Sequence, residues 1–174
     1  MTTRRLWVPL LVGLLVAALI GPGMVAGAEP RVTVTKALMI PAAAAIPIST
    51  YMEYNNVGSQ VRIEGSGEGG FTIPLSFPVS VVTIRRITVY AYDNDASHDV
   101  GVALRRTYPP DNTEVGLGWV TTSGASTADP QSVTSSAISN RTVSTANYGL
   151  FLWIQMSGGS TRLYGVKILY SYEA

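Results

Sequence analysis

The chain has 174 residues, no cysteine, one histidine, 12 Lys and Arg against 11 Asp and Glu, and only 13% charged residues. That composition excludes a disulfide scaffold, a zinc site built from Cys and His, and the basic field that nucleic acid or an anionic lipid surface requires. Soluble domains usually carry roughly 25% charge, so here Ser, Thr, Gly, Asn and Tyr must supply the polarity of the surface.

The first element is a basic start, MTTRR, followed by an uncharged run from Leu6 to Ile20, a Gly21-Pro22-Gly23 break and the small-residue site Ala26-Gly27-Ala28. These are the parts of a secretory signal peptide, and cleavage is expected after Ala28. An uncleaved anchor is the competing reading, because Leu6 to Val25 reaches the roughly 20 apolar residues of a membrane span. The helix breakers and the A-x-A site favour cleavage. Residues 1–28 are therefore read as the signal helix, 29–47 as an N-terminal strand with an Ala-rich linker, and 48–174 as the folded domain, exported and free of the membrane. Loss of Arg4 and Arg5 with the signal turns the formal charge of +1 slightly negative.

Beyond Ala28 no stretch holds a helical period for more than a turn or two, and short alternating runs end instead at Gly, Pro, Asn, Asp or Ser. Val32 and Val34 begin one strand, and Ile40 to Ile46 (IPAAAAI) makes a short helical turn or an extended link. Val61 and Ile63 mark a second strand; Phe71, Ile73, Leu75 and Phe77 mark a third, whose prolines Pro74 and Pro78 confine it to an edge or a bulge. Val115, Leu117 and Trp119 alternate with Gly116 and Gly118, and Val133 marks a weaker strand. About eight to ten such strands predict an all-β, antiparallel β-sandwich of jelly-roll type.

Two hairpins can be written at the level of register. The first pairs Ile87 with Leu104, Val89 with Val102 and Ala91 with Val100, and lays Tyr90 over Gly101. The second pairs Ile154 with Tyr164, Leu152 with Val166, Leu150 with Ile168 and Tyr148 with Tyr170, and lays Trp153 over Gly165. An aromatic ring over a cross-strand glycine fills the gap that the glycine leaves. A sandwich that splits either pair between its sheets keeps the same core faces.

The segment YAYDNDASHDV then falls at a loop. Asp93, Asp95 and Asp99 are candidate ligands for Ca2+, a hard cation that takes several oxygens, although the loop lacks the glycine and bidentate glutamate of an EF-hand. Asp, Asn and Ser are also the residues that hydrogen-bond to the backbone of a turn. Ser97, His98 and Asp99 cannot form a local triad, because neighbours in extended chain point to opposite faces. Paired carboxylates for glycoside chemistry would have to come from Glu53, Glu64, Glu68, Asp111 or Glu114, and their spacing singles out no pair.

Arg85 and Arg86, with Arg105 and Arg106, bring four like charges to one level of the first hairpin, which costs stability unless a carboxylate, an acidic glycan or a partner neutralises them. The core parity changes from Val82 and Ile84 to Ile87 and Val89 at Arg85-Arg86, which is what a bulge produces. The arginine doublets, Tyr90, Tyr92 and Trp153 are the candidate ligand-binding residues. Asn140-Arg141-Thr142 matches a glycosylation sequon.

The motifs I-P-A-A-A, L-S-F-P-V, T-V-Y-A-Y-D-N-D-A-S-H-D-V, T-S-G-A-S-T, A-I-S-N-R-T-V, N-Y-G-L-F-L and R-L-Y-G-V-K-I-L-Y occur in this order across Met39 to Tyr172. In this the chain resembles a group of uncharacterised secreted bacterial all-β proteins. The resemblance implies a single exported β domain and carries no activity, cofactor or binding residue. With no coherent catalytic set, the expected role is non-enzymatic surface contact, in a homo-oligomer or envelope assembly or with an extracellular ligand. In one form of that assembly Arg31 to Thr35 adds as a strand to a neighbouring subunit. The alternatives are a carbohydrate-binding module using exposed aromatics, with or without a structural Ca2+, and a polysaccharide hydrolase or lyase.

Overall fold

The computed structural model describes residues 31–65, 67–123 and 129–174. The expected signal segment, 1–28, lies outside the described residues. Among these the elements are strands and one short 3-10 turn, in the order β1 (Thr33–Pro41), the turn (Ala42–Ala44), β2 (Ile46–Pro47), β3 (Tyr54–Asn56), β4 (Val61–Ile63), β5 (Glu68–Leu75), β6 (Val81–Asp93), β7 (Val100–Tyr108), β8 (Thr113–Thr121), β9 (Gln131–Ser135), β10 (Thr142–Ser144), β11 (Gly149–Ser157) and β12 (Thr161–Glu173). No helix of the described residues is long and apolar enough to cross a membrane.

Two antiparallel sheets form. In one, β5, β11, β7 and β8 lie side by side with β2 at the β5 edge; in the other, β6 and β12 are central neighbours. β6 and β12 are the longest strands, at 13 residues each, and the outer edge of each is covered by two shorter strands. β9 and β10 share the edge of β6, and β1 and β4 share the edge of β12. With β9 and β10 taken as one interrupted strand, the sheet orders are β4-β12-β6-β9/β10 and β5-β11-β7-β8. Along these eight strands the chain passes between sheets at β4 to β5, β5 to β6, β6 to β7, β8 to β9, β10 to β11 and β11 to β12, which is the double Greek key of a jelly roll.

This topology corrects both hairpins. β6 and β7 lie in different sheets, as do β11 and β12, and the ladder neighbours are β6 with β12 and β7 with β11. The core faces survive as the parity argument requires: Ile87, Val89, Ala91, Val100, Val102, Leu104, Leu152, Ile154, Val166 and Ile168 are all fully buried. Cross-strand ladder bonds alone would satisfy either arrangement. Crossing between sheets places β6 and β7, and likewise β11 and β12, in facing layers whose apolar faces pack against each other. Aromatic cover of glycine survives with its partners exchanged: Tyr90 stands opposite Gly165, and Trp119 covers Gly101.

The bulge expected at the first arginine doublet is present. Tyr170 faces Ile84 while Leu169 faces Arg86, so Arg85 is the extra residue and the core side changes across it. A second shift between Leu163 and Gly165 leaves Tyr164 as the extra residue of β12. Of the segment 29–47, expected to supply a strand and a linker, the described residues contribute β1 and β2 to the two sheets. β1 pairs along its whole length with β12 of the same chain, from Thr33 opposite Glu173 to Pro41 opposite Gly165, so the strand expected to serve a neighbouring subunit is used within its own sheet. A Cβ at Gly165 would come within 2.7 Å of the Ile40 carbonyl oxygen, and this close approach requires glycine.

Candidate functional site

The outer face of the five-stranded sheet carries the most developed surface feature. Side chains alternate along β11, so Leu152 and Ile154 enter the core while Phe151, Trp153 and Gln155 point outward. The register lines these up with neighbours in rows across the strands. One row runs Thr72, Trp153, Ala103, Trp119; the next runs Gly70, Gln155, Gly101, Thr121. Two tryptophans therefore stand at one level, two strands apart, about 10 Å at the usual inter-strand spacing. Only the methyl of Ala103 lies between them.

Trp119 is 47% exposed. A Cβ at Gly101 would collide with the six-membered part of its indole, so the ring lies down on the backbone of β7 and turns its other face to solvent. The guanidinium of Arg105 sits over the ring of Trp153, 4.6 Å from its centroid, and makes an ion pair with Glu114. A cation between an indole and a carboxylate is held in place from two sides. A groove of about 420 Å³ runs over this surface, with Ile48 and Glu68 on one side and Trp119 on the other, and Arg105, Trp153 and Gln155 along its floor. Past Trp119 a second depression of about 620 Å³ continues between Arg105 and the loop at Ala137, Ile138 and Ser139. The two share Ala103, Arg105 and Trp119, which makes one open track across the sheet.

Of the residues singled out from sequence, Trp153, Arg105 and Glu68 are in this track. The four arginines do not meet at one level, because β6 and β7 belong to different sheets. Arg85 is exposed and donates from Nε to Ser171 Oγ at 2.9 Å; Arg86 is exposed beside Leu169. Arg106 points to the side of β7 away from Arg105, with its guanidinium 4.6 Å from the Tyr148 ring centroid. Tyr90 and Tyr92 are on the other sheet, under Lys167 and Arg162. The like-charge problem is thus solved by separation and by aromatic rings.

The aspartate-rich loop does not gather its carboxylates. Asp93 is 1% exposed, turned inward, and accepts hydrogen bonds from the Thr122 hydroxyl and from the Asp95 amide at 3.1 Å. Asp95 accepts from the Ser97 amide and the Ser160 hydroxyl, both at 2.8 Å, and lies 2.8 Å from His98 Nδ1. Asp99 is exposed at the end of the loop. Among the described residues no group of three His, Cys, Asp or Glu could hold a metal ion. The Asp93 and Asp95 carboxylates are engaged by these hydrogen bonds, and the Ser160 bond ties this loop to the one before β12. Those bonds, the Ser97 amide first, hold the Asp95 carboxyl down from its ordinary 3.8 to about 2.

A depressed folded-state pKa contributes stability that is present above the unfolded value and lost as pH falls through the folded one. Acidification from 3.8 toward 2 should therefore lower the melting temperature of the native chain by a component that Asp95→Asn lacks. Melting curves for the two proteins across that range provide the check, and parallel curves would remove the assignment.

Sequence reasoning missed Trp119 and Gln155 as site residues, and weighed Glu68 only as a candidate acid for glycoside chemistry or a partner for the arginines. Simple alternation puts Trp119 on the same side as Leu117, which is buried. The structure has a bulge there: Leu104 faces Gly118 and Arg105 faces Gly116, so Leu117 is the extra residue and Trp119 emerges on the opposite face. The Gly116 and Gly118 flanks were the available signal, since glycine within a strand often marks a bulge. Glu64 pairs with Arg62 and Glu114 with Arg105, so these two carboxylates are engaged with cations.

No protein-family model and no curated protein matches the sequence. Solved structures similar to the chain include a xylan-binding module, CBM15, at 12% identity and TM-score 0.48, covering 81% of this chain and 100% of that one. A CBM35 from Cellvibrio japonicus aligns at 11% identity and TM-score 0.46, covering 76% of this chain and 92% of that one. A carbohydrate-binding module CBM36, in complex with calcium and xylotriose, aligns at 14% identity and TM-score 0.41, covering 80% of this chain and 99% of that one.

Proposed function

We propose that this protein is an exported, non-enzymatic carbohydrate-binding module that holds a glycan chain along the outer face of its five-stranded sheet. The observation that carries the reading is the row Trp153-Ala103-Trp119 in an open groove. Pyranose rings present flat C–H faces that stack on indoles and hydroxyl edges that need hydrogen-bond partners. Trp119 offers a free ring face of that kind, while Arg105, Gln155 and Glu68 offer donors and acceptors at the edges. The interval between the indoles, two strand spacings or about 10 Å, suits a disaccharide repeat of an extended chain and is too long for one ring. Open ends on both sides of Trp119 suit a polymer. The surface-contact role expected from composition thereby acquires a ligand class, and the basic start, uncharged run and A-x-A site of the N-terminus support export.

The test is depletion of the chain from solution by insoluble plant and bacterial polysaccharides, read together with tryptophan fluorescence during titration with soluble oligosaccharides. Binding should require at least two linked sugars and should shift the tryptophan emission. Retention by no polysaccharide, with emission unchanged throughout, would defeat the reading.

A further inference from the structure

The sheet on the other side of the core has a surface of a different kind. In β1, β9 and β10, in β12 before Glu173 and in β6 before Asp93 there is no acidic residue, and Asp93 itself is turned inward and buried. The same strands carry Lys36, Arg85, Arg86, Arg162 and Lys167. A chain with 12 Lys and Arg against 11 Asp and Glu is near neutral as a whole, yet it is basic along this sheet.

Parity and register set four of these cations in a line on the outer face. Leu163, Val166 and Ile168 enter the core, so Arg162 and Lys167 point outward. Arg162 stands opposite Tyr92, Lys167 opposite Thr88, and Arg86 opposite Leu169. Arg85, the extra residue of the bulge, joins them through its bond to Ser171. From the level of Tyr92 to that of Thr88 is about 13 Å along β6, and Arg86 lies about 7 Å further on. The flanks are uncharged: Ala37 and Met39 of β1 beside β12, and the exposed hydroxyl residues Ser132 and Thr134 of β9 beside β6.

Nothing in the chain neutralises this line. Among the described residues Arg85, Arg86, Arg162 and Lys167 make no ion pair. Arg162 and Lys167 are held over the rings of Tyr92 and Tyr90, 5.0 and 5.7 Å from the centroids, which fixes the two charges in place without cancelling them. Like charges gathered on one face of a sheet cost stability unless a counter-charge arrives.

The arrangement also selects among anions. A near-neutral chain lacks the broad field that a planar anionic surface requires. Single-stranded nucleic acid needs free aromatic faces on which bases stack, and here the cations cover Tyr90 and Tyr92. A linear acidic polysaccharide needs only cations spaced along its length, where arginine meets carboxylates as a fork, with hydroxyl groups such as those of Ser132 and Thr134 beside them. From the unneutralised line Arg162, Lys167, Arg86 and Arg85 on an acid-free face, we infer that the outer face of the seven-stranded sheet binds a linear, carboxylate-bearing polysaccharide. The groove lies on the other sheet, so this surface is independent of any glycan held there.

The experiment is calorimetric titration of the full chain with polygalacturonate oligosaccharides. Binding should be saturable at about 0.01 M salt and at least tenfold weaker at about 1 M, where the screening length falls from about 30 Å to about 3 Å. The double variant Arg86→Glu, Lys167→Glu, with its fold checked by circular dichroism, should lose about tenfold or more in affinity, and Arg86→Gln alone, at an exposed position, should lose part of that. Trp119→Ala should bind as the native chain does. No binding at low salt, an affinity in the double variant within about a factor of two of native, or an equal loss in Trp119→Ala would overturn the assignment. So would binding of poly-L-glutamate or single-stranded DNA as tight as that of polygalacturonate.

Discussion

Replacing Trp119 by alanine should abolish retention on polysaccharide while leaving the fold intact. The indole is the most exposed aromatic of the track and, with Ala103 and Arg105, is shared by both of its halves. Truncating an aromatic anchor at the centre of a binding surface costs about 2 kcal/mol or more, which is about thirtyfold in affinity. Its contribution to stability is small by comparison, because the ring rests on the surface of β7 and fills no core space; the melting temperature should reflect a change within about 1 kcal/mol. Isothermal titration with an oligosaccharide that binds the native chain gives the affinity ratio, and differential scanning calorimetry gives the stability. An affinity within a factor of about two of the native value would show that the glycan does not lie on this face.

Phe71→Ala should have the largest effect on stability. Phe71 is fully buried, a member of the core that joins the two sheets, and its ring meets Tyr54 edge-on at 5.5 Å. Removing a buried phenyl ring costs about 3–5 kcal/mol, part for lost transfer and part for the cavity. Whole domains are stable by only about 5–15 kcal/mol, so the midpoint of thermal unfolding should fall by about 10 °C or more. With no cysteine in the chain, no disulfide limits the entropy of the unfolded state to offset that loss. Chemical denaturation of the two proteins measures the difference, and a loss under about 1 kcal/mol would mean that the sheets do not pack around this side chain.

These two residues show what could be read early and what could not. Phe71 was legible because Phe71, Ile73 and Leu75 alternate with polar or small neighbours, and period 2 reports a buried face directly. Trp119 was not, because one extra residue at Leu117 reverses the side on which everything after it emerges. A bulge is a local backbone event that leaves the composition of the strand unchanged. The arginine doublets mark the same limit from the other direction. Placed in one hairpin they would be a concentration of like charge; in the sandwich each finds its own setting, Arg105 against Trp153 and Glu114, Arg106 against Tyr148, Arg85 on Ser171.

The aspartate-rich loop illustrates a third case. Its density of carboxylates suggested a cation site, yet each short polar side chain has a nearer use in capping the backbone of a turn, and Asp93 and Asp95 are spent that way. Identity of residue types was visible; which of their lone pairs remained free was not.

By itself, then, the amino-acid sequence determined the all-β class, the faces of Ile87 to Ala91, Val100 to Leu104 and Leu150 to Ile154 that enter the core, and the bulge at Arg85, since all of these follow from period and parity along one strand. The tertiary structure decided which strands are neighbours, and with that the row of Trp153, Ala103 and Trp119. Pairing partners depend on contacts between segments distant in the chain, which are set by the burial of two sheets against each other and leave no mark on either segment alone.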